Sequence, residues 1–389
     1  MSAREASQTR QGPQLDEPQV RGRCPGALRP MLSGDGLVVR VRPRLARLSA
    51  AQAIGLARLA QRHGSGIIEL TNRANLQIRG VAPEAHDALI VGLAALGLLD
   101  SDEKLEARRN ILITPFWEEG DLSARLARRV EGLLAELPDM PGKIGFAIDT
   151  GAEPLLMRDP ADFRLERSAE GLILRADGAA RGWALGEEDV GAALAEMAAW
   201  FTRHRTSERR RMAQVVAAHA LPPAWETHPP RPPGAAPGPG RHASGALVGV
   251  AFGALDAQAL LCLLETSAAP ALRVTPWRML LVEGARDLPG APFITDARDP
   301  LFRVDACPGA PFCVQATVET RALARRLAPL VHGSLHVSGC AKGCARRRAA
   351  RVMLTGRAGR YDLAFEARAW DAPRHAGLDP EDILARTDL

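Results

Sequence analysis

The sequence predicts an α+β protein of two similar halves around a pseudo-twofold axis, followed by a small domain built on four cysteines. Three observations carry this. A strand–helix–strand pattern after Gly36 returns in the same order after Gly245. A Pro/Gly-rich stretch, 221–244, separates the copies. Four of the 6 cysteines fall in two close pairs late in the chain.

Taken in order, the polar residues 1–23 contain no apolar core of a signal peptide and are expected to be disordered. From Gly36, LVVRVRPRLARLSAAQAIGLARLAQRHG reads as an alternating strand and then a helix capped by Ser49. From Gly245, ALVGVAFGALDAQALLCLLE reads as a strand and a helix opened by Asp256. Ala51-Gln52-Ala53 recurs as Ala257-Gln258-Ala259, 206 residues on. Strand Ile67–Leu70 runs into Thr71-Asn72-Arg73, and Leu272-Arg273-Val274 into Thr275-Pro276-Trp277-Arg278, with the arginines 205 residues apart. Further helices are expected at 83–98, 122–137, 187–205 and 319–330. Further strands are expected at 76–81, 110–114, 144–149, 279–283, 334–337 and 351–354. The density of proline and glycine in 221–244 marks an extended linker. The expected domains are 24–99 and 100–220 in the first part, then 245–300, and 301–389 for the cysteine domain.

Composition bounds the function. With 46% apolar and 24% charged residues, the 389-residue chain can bury a sizeable core. Its longest apolar run, Ala88–Leu99, has 12 residues, short of the roughly 18 a membrane span requires. Aromatic residues make up 4%, too few for the aromatic-interleaved basic stripe of a nucleic-acid binder. A net charge of +5 suits an anionic small molecule. So few cysteines point to metal chemistry in a reducing cytoplasm instead of a disulfide scaffold.

The pairs are Cys307-Pro-Gly-Ala-Pro-Phe-Cys313 and Cys340-Ala-Lys-Gly-Cys344, with 26 residues between them. That interval holds a helix and a strand, enough to bring the chain back. Four thiolates would then meet at one site, as a [4Fe–4S] cube requires. Gly309, Gly339 and Gly343 let backbone crowd the cluster. Zinc also takes four thiolates, but structural zinc sites favour CxxC knuckles, absent here. Lys342, between two ligands, would tune the cluster by its charge. Cys24 and Cys262 fall outside the pattern, Cys262 as a small core residue of a helix. Gly64-Ser65-Gly66 follows a helix and lacks a third glycine, so it is no dinucleotide fingerprint.

Cx5C followed by Cx3C, with TNRANLQIRG early in the chain and a repeat between, resembles the sulfite/nitrite reductase superfamily. Within it, CPGALRPMLSGDGLVVRV, PGKIGFAID, ACPGAPFC, HVSGCAKGCA and GRYDL are similar to the precorrin-3B synthase family of aerobic cobalamin synthesis. The resemblance spans Cys24–Pro373 and implies duplicated reductase-like halves, each a ferredoxin-like α/β sandwich, plus an iron–sulfur domain. It implies that Arg73, Arg109 and Lys143 hold three of the reductases' catalytic cationic positions. A fourth, commonly lysine, is Gly145 here, and Ala341-Lys342 replaces a common Pro-Asn. Losing a cation weakens the case for resident sirohaem and opens space. Arg73, Arg109, Lys143 and, by the internal repeat, Arg278 would then grip the carboxylate rim of precorrin-3A. The alternative for each is an exposed side chain or a structural ion pair; Arg79 reads as a solvated strand residue.

The implied reaction is an O2-dependent monooxygenation of precorrin-3A at C20 with closure of a γ-lactone, fed by a separate NADH-dependent donor. A second, non-haem iron would need His or carboxylate ligands, for which His332 and His336 are candidates on one face of a strand; solvated or core histidines are the plainer reading. The rival functions are a sirohaem-dependent sulfite or nitrite reductase and a non-catalytic tetrapyrrole-binding protein.

Overall fold

The computed structural model describes residues 25–389; the expected disordered N-terminus and Cys24 lie outside them. The described residues divide into two compact units, one of 25–302 and one of 303–389. No helix among the described residues is long and apolar enough to cross a membrane.

The larger unit begins with β1 (Met31–Ser33), β2 (Gly36–Val41), β3 (Arg47–Ser49), α1 (Ala50–His63), β4 (Ile67–Leu70), β5 (Leu76–Val81) and α2 (His86–Ala95). Ser49 caps α1 in a reciprocal box with Gln52: its hydroxyl accepts from the Gln52 N–H at 3.2 Å, and the Gln52 side chain accepts from the Ser49 N–H at 3.0 Å. Ala53, Leu56, Ala57 and Ala60 form the buried stripe of α1.

A second layer follows: α3 (Glu103–Arg108), β6 (Ile111–Ile113), α4 (Leu122–Leu133), β7 (Phe146–Asp149), β8 (Phe163–Arg167), β9 (Leu172–Ala176), β10 (Trp183–Leu185), α5 (Val190–His204) and α6 (Met212–Val216). Its sheet runs β10-β9-β8-β7-β6, with β6, β7 and β8 parallel and the rest antiparallel.

The other half comprises β11 (Gly240–His242), β12 (Gly245–Gly249), β13 (Ala254–Asp256), α7 (Ala257–Ser267), β14 (Ala271–Val274) and β15 (Met279–Glu283). Asp256 caps α7 by accepting from the Ala259 N–H at 2.9 Å. The two caps, Ser49 and Asp256, set the helices 207 residues apart, one more than the triplet match suggests.

The halves exchange strands. One sheet is β1-β2-β5-β4-β13 and the other β11-β12-β15-β14-β3, so each borrows its edge strand from the opposite half. Positive-φ turns deliver both: Leu45 (φ 53°) and Ala46 (φ 54°) lead into β3, Phe252 (φ 59°) and Gly253 (φ 69°) into β13. Three of these four residues carry a Cβ, and such strain persists only where surrounding structure enforces it. Glu283 on β15 supplies part of that enforcement. Its carboxylate takes two bonds from Arg47 of the borrowed β3, both at 2.9 Å, and a third from Arg273 of β14 at 2.5 Å. The Arg273 guanidinium also stacks 4.1 Å from the Trp117 ring.

The expected linker is pinned along the second layer. Trp225 is buried, stacks on Trp183 at 5.5 Å and meets Trp200 edge-on. The Arg231 and Gly234 N–H groups donate to the carbonyls of Arg167 and Pro154.

The smaller unit contains β16 (Val304–Ala306), α8 (Arg321–Leu327), β17 (Leu335–Ser338), β18 (Ala350–Arg357), β19 (Arg360–Ala367), β20 (His375–Leu378) and α9 (Pro380–Leu384). Its sheet, β16-β17-β18-β19-β20, has three parallel strands followed by two antiparallel ones. That is the order of the β6–β10 sheet, with α8 in the place of α4.

Glu283→Ala would leave two arginines at the strand exchange without their carboxylate. It is expected to lower unfolding stability by about 3 kcal/mol; an unchanged denaturation midpoint would show that the exchange does not depend on this ion triad.

Candidate functional site

The cysteines sit where parallel strands end. Cys307 follows β16 directly, Cys340 comes two residues after β17, and Cys344 lies in the β17–β18 connection. Because β16 and β17 pair side by side, with Ala306 opposite Val337, the excursion through α8 returns the second cysteine pair to the first. Ligands in such sheets bind outside the carboxyl ends of parallel strands.

Hydrogen bonds lock the loops together. The Gly339 N–H donates to the Cys307 Sγ at 3.2 Å, and the Thr317 N–H to the Gly339 carbonyl at 3.0 Å. Thr320 donates its hydroxyl to the Cys307 carbonyl at 2.5 Å, and the Cys313 N–H donates to Gly309 at 2.9 Å. A side chain on Gly339 would begin 2.5 Å from the Ala316 Cβ, so only glycine lets the loops approach this closely. Burial raises the Cys307 thiol, with the Gly339 and Gly309 N–H groups opposing and Cys313 adding to the rise. Burial likewise raises Cys340, the Lys342 N–H opposing, with Cys307 and Cys313 close enough to add. Cys344 is exposed as a residue, but crowding around its thiol pushes it up to about 11, Lys342 opposing and the other three cysteines adding.

Four thiols within electrostatic reach, served by backbone N–H groups, fit an all-thiolate metal group that displaces their protons. Among the described residues no three His, Cys, Asp or Glu side chains stand at the spacing of ligands to one metal ion.

The cationic residues lie in the larger unit. Arg73 sits in the turn between β4 and β5, and its Nη2 donates to the Lys143 carbonyl at 2.9 Å. The Asn110 amide staples that same segment by donating to the Gly142 and Ile144 carbonyls. A side chain on Gly145 would start 3.6 Å from Arg73 Nη1 and 3.2 Å from the Asn110 carbonyl. Arg73, Lys143 and the position of the missing lysine are thus brought together.

Arg109 is placed differently. It is buried and bound through Nε and Nη2 to both Asp100 oxygens, at 2.7 and 2.9 Å, and Nη2 also reaches the Arg42 carbonyl at 2.8 Å. The structure therefore engages it as an ion pair that holds the β6 entrance. Arg79 is no solvated strand residue: it is buried, with Nε and Nη2 on Asp35 at 2.9 and 2.7 Å and Nη1 on Glu69 at 3.3 Å.

The hairpin hydrogen bonds correct the repeat register. The Thr71 N–H donates to the Asn75 carbonyl at 2.9 Å and the Thr275 N–H to Met279 at 3.1 Å, and the left-handed residues are Ala74 and Arg278. Thr71 thus corresponds to Thr275, an offset of 204, and the counterpart of Arg73 is Trp277, not Arg278. Arg278 stands one place on, its Cγ 3.2 Å from where a Gly253 side chain would begin, with the Leu70 carbonyl 3.0 Å from the same point. The Trp277 indole donates to Asp159 Oδ2 at 3.2 Å. Sequence reading had no signal for Asp159, because a carboxylate in a loop carries no spacing rule. Burial pushes its carboxyl up to about 6, the Trp277 N–H and Arg164 opposing and Asp149 adding.

Residues 29–96 match the model of the nitrite/sulfite reductase ferredoxin-like half domain. The solved structure of the Mycobacterium tuberculosis NirA protein matches with a TM-score of 0.58 over 85% of this chain and 74% of that one, at 19% identity, a likeness of fold. A curated precorrin-3B synthase from Sinorhizobium sp is 33% identical over 401 residues, spanning 91% of this chain and 84% of the relative. The chain belongs to the precorrin-3B synthase family.

Among the described residues, His332 and His336 form no paired histidine face. His336 is fully buried within β17, whereas His332 is exposed on the loop before it, so the two do not share one strand face. Cys262 lies exposed on α7, outside the core expected for it.

Two tests follow from this geometry. Asp100→Ala strands a buried guanidinium and should cost about 3 kcal/mol in unfolding stability; a loss below about 0.5 kcal/mol would show that Arg109 does not depend on the pair. Asp159 has a folded pKa of about 6 against an ordinary 3.8, so the native state holds its proton to higher pH. Its contribution is full below the ordinary value and fades as pH rises towards about 6. Asp159→Asn should remove that fall in stability, and a wild-type pH profile in the variant would assign it elsewhere.

Proposed function

We propose that the chain acts in cobalamin biosynthesis, converting precorrin-3A to precorrin-3B by O2-dependent hydroxylation at C20 with closure of a γ-lactone. The observation that carries this reading is the 33% identity to a precorrin-3B synthase along 91% of the chain. The cysteine loops would hold a [4Fe–4S] cluster through Cys307, Cys313, Cys340 and Cys344, which when bound supplies electrons one at a time. Those electrons would come from a separate NADH-dependent donor, in the cytoplasm.

The chain's own residues bind and orient the substrate. Arg73 and Lys143 stand on facing loops, the Arg73 guanidinium bonded to the Lys143 carbonyl, and position 145 beside them carries no side chain. A tetrapyrrole with acetate and propionate carboxylates on its rim suits guanidinium donors. Each charge-assisted bond contributes about 1.5–3 kcal/mol. In this reading Arg109 acts by positioning: its pairing with Asp100 fixes the start of β6 and hence Asn110, which holds the Lys143 loop. Arg278 adds a cation from the opposite half. The absence of a cation at position 145 also favours this substrate over a small oxyanion on resident sirohaem, which calls for denser positive charge.

Cys344→Ser is expected to abolish iron binding, visible cluster absorption and conversion of precorrin-3A together; turnover retained without the cluster would overturn the reading. Arg73→Ala should leave the cluster spectrum intact and weaken precorrin-3A binding roughly ten- to hundred-fold, read by equilibrium titration under anaerobic conditions. Strong red absorption bands in the isolated protein would identify a bound isobacteriochlorin and favour the sirohaem-dependent reductase instead.

A further inference from the structure

The smaller unit carries a charge asymmetry that substrate binding does not use. Between Glu319 and Asp362 the chain has 10 Lys and Arg residues and no Asp or Glu. Some of these cations are neutralised: Arg346 pairs with Asp305, Arg326 with Glu381, Arg357 with Asp362 and Arg360 with Asp379. Arg347 and Arg348 are exposed and have no carboxylate partner among the described residues. Arg347 donates to the Lys342 carbonyl at 3.2 Å, and so stands against the loop between Cys340 and Cys344.

Beside them is an aromatic side chain in an unusual place. β19 ends at Ala367 and leads into Arg368, Ala369 and Trp370, with Ala369 anchored by the Thr355 hydroxyl at 3.1 Å. Trp370 is 44% exposed, and its ring lies 3.3 Å from where a Gly343 side chain would begin. The guanidinium carbons of Arg347 and Arg368 stand 5.5 and 5.9 Å from the ring centre. The nearby carboxylate, Asp371, accepts from the Arg368 N–H at 2.7 Å. An exposed indole flanked by exposed arginines, touching the loop of an exposed cysteine ligand, has the composition of an interface centre.

We propose that this surface docks an acidic one-electron carrier protein, with Trp370 as its apolar centre and Arg347, Arg348 and Arg368 as its charged rim. The inference rests on the cluster reading above, because the carrier's reduced centre gives up one electron and the cluster accepts it. Charge complementarity selects the partner: uncompensated guanidinium groups steer an acidic surface and repel a basic one. A single-stranded nucleic acid would meet the same cations, and is the competing occupant.

The probe is a plant-type [2Fe–2S] ferredoxin, an acidic carrier, added to the cluster-loaded full chain. Its binding in the oxidised state is read by calorimetry, and its oxidation after reduction by stopped flow. Arg347→Glu with Arg368→Glu should weaken binding about tenfold or more at low ionic strength, with the difference shrinking in high salt. Trp370→Ala should weaken binding at every salt concentration. Iron content and reduction of the cluster by dithionite should stay at wild-type levels in all variants, which separates docking from folding. Binding unchanged within twofold in the charge-reversed variant overturns the proposal, as does an oligonucleotide that binds as tightly with the same dependence on Trp370. A wild-type chain without iron or visible absorption would sink the cluster reading first, and the proposal with it.

Discussion

Two three-residue strands carry the architecture of the larger unit. β3 and β13 each leave their own half and complete the opposite sheet, so neither half has a finished edge alone. An open sheet edge exposes unpaired N–H and C=O groups, and the exchange closes both edges with the same chain. It also forces the backbone through left-handed turns at Leu45, Ala46, Phe252 and Gly253, one of them a bulky aromatic. The Glu283–Arg47–Arg273 triad and the Trp117 stack hold the β3 side of that strained crossing in place. The Thr71 and Thr275 hairpins, and with them Arg73, Trp277 and Arg278, take their positions from these sheets.

Duplication here preserves backbone and changes chemistry. The paired hairpins share the threonine hydrogen bonds and the left-handed residue, yet one carries Arg73 against the Lys143 carbonyl and the other Trp277 against Asp159. The same divergence holds for the two five-stranded mixed sheets. One ends its parallel strands in Thr114 and Thr150, whereas the other ends them in Cys307 and, past Gly339, Cys340. A parallel sheet offers a crevice at that edge in both cases, and local residues decide what can occupy it.

The distribution of charge follows a similar economy. In the larger unit several arginines are spent inside the protein: Arg109 on Asp100, Arg79 on Asp35 and Glu69, Arg164 on Asp177 and Arg175 on Glu166. Buried guanidinium groups persist because each of these has a carboxylate, and further acceptors, to satisfy its fork. In the smaller unit the segment between Glu319 and Asp362 supplies no acid of its own, so its ion-paired cations take carboxylates from β16, β19 and the start of α9, and others remain at the surface.

What the sequence determined by itself was local and periodic. The Ser49 and Asp256 caps, the strands at 76–81 and 279–283, the repeat and the cysteine spacing all follow from neighbours a few residues apart, where side-chain period and capping chemistry suffice. Tertiary structure decided the rest. The three-residue strands that change sheets have too little pattern to be read, and their pairing lies some 200 residues away in the chain. The repeat register slipped by one because a shared arginine was matched where the hydrogen bonds align Arg73 with Trp277. Whether an arginine meets a ligand or a carboxylate depends on what burial brings beside it. Asp100, nine residues from Arg109, and Asp35, far along the chain from Arg79, carry no mark in the sequence that they will close those pairs.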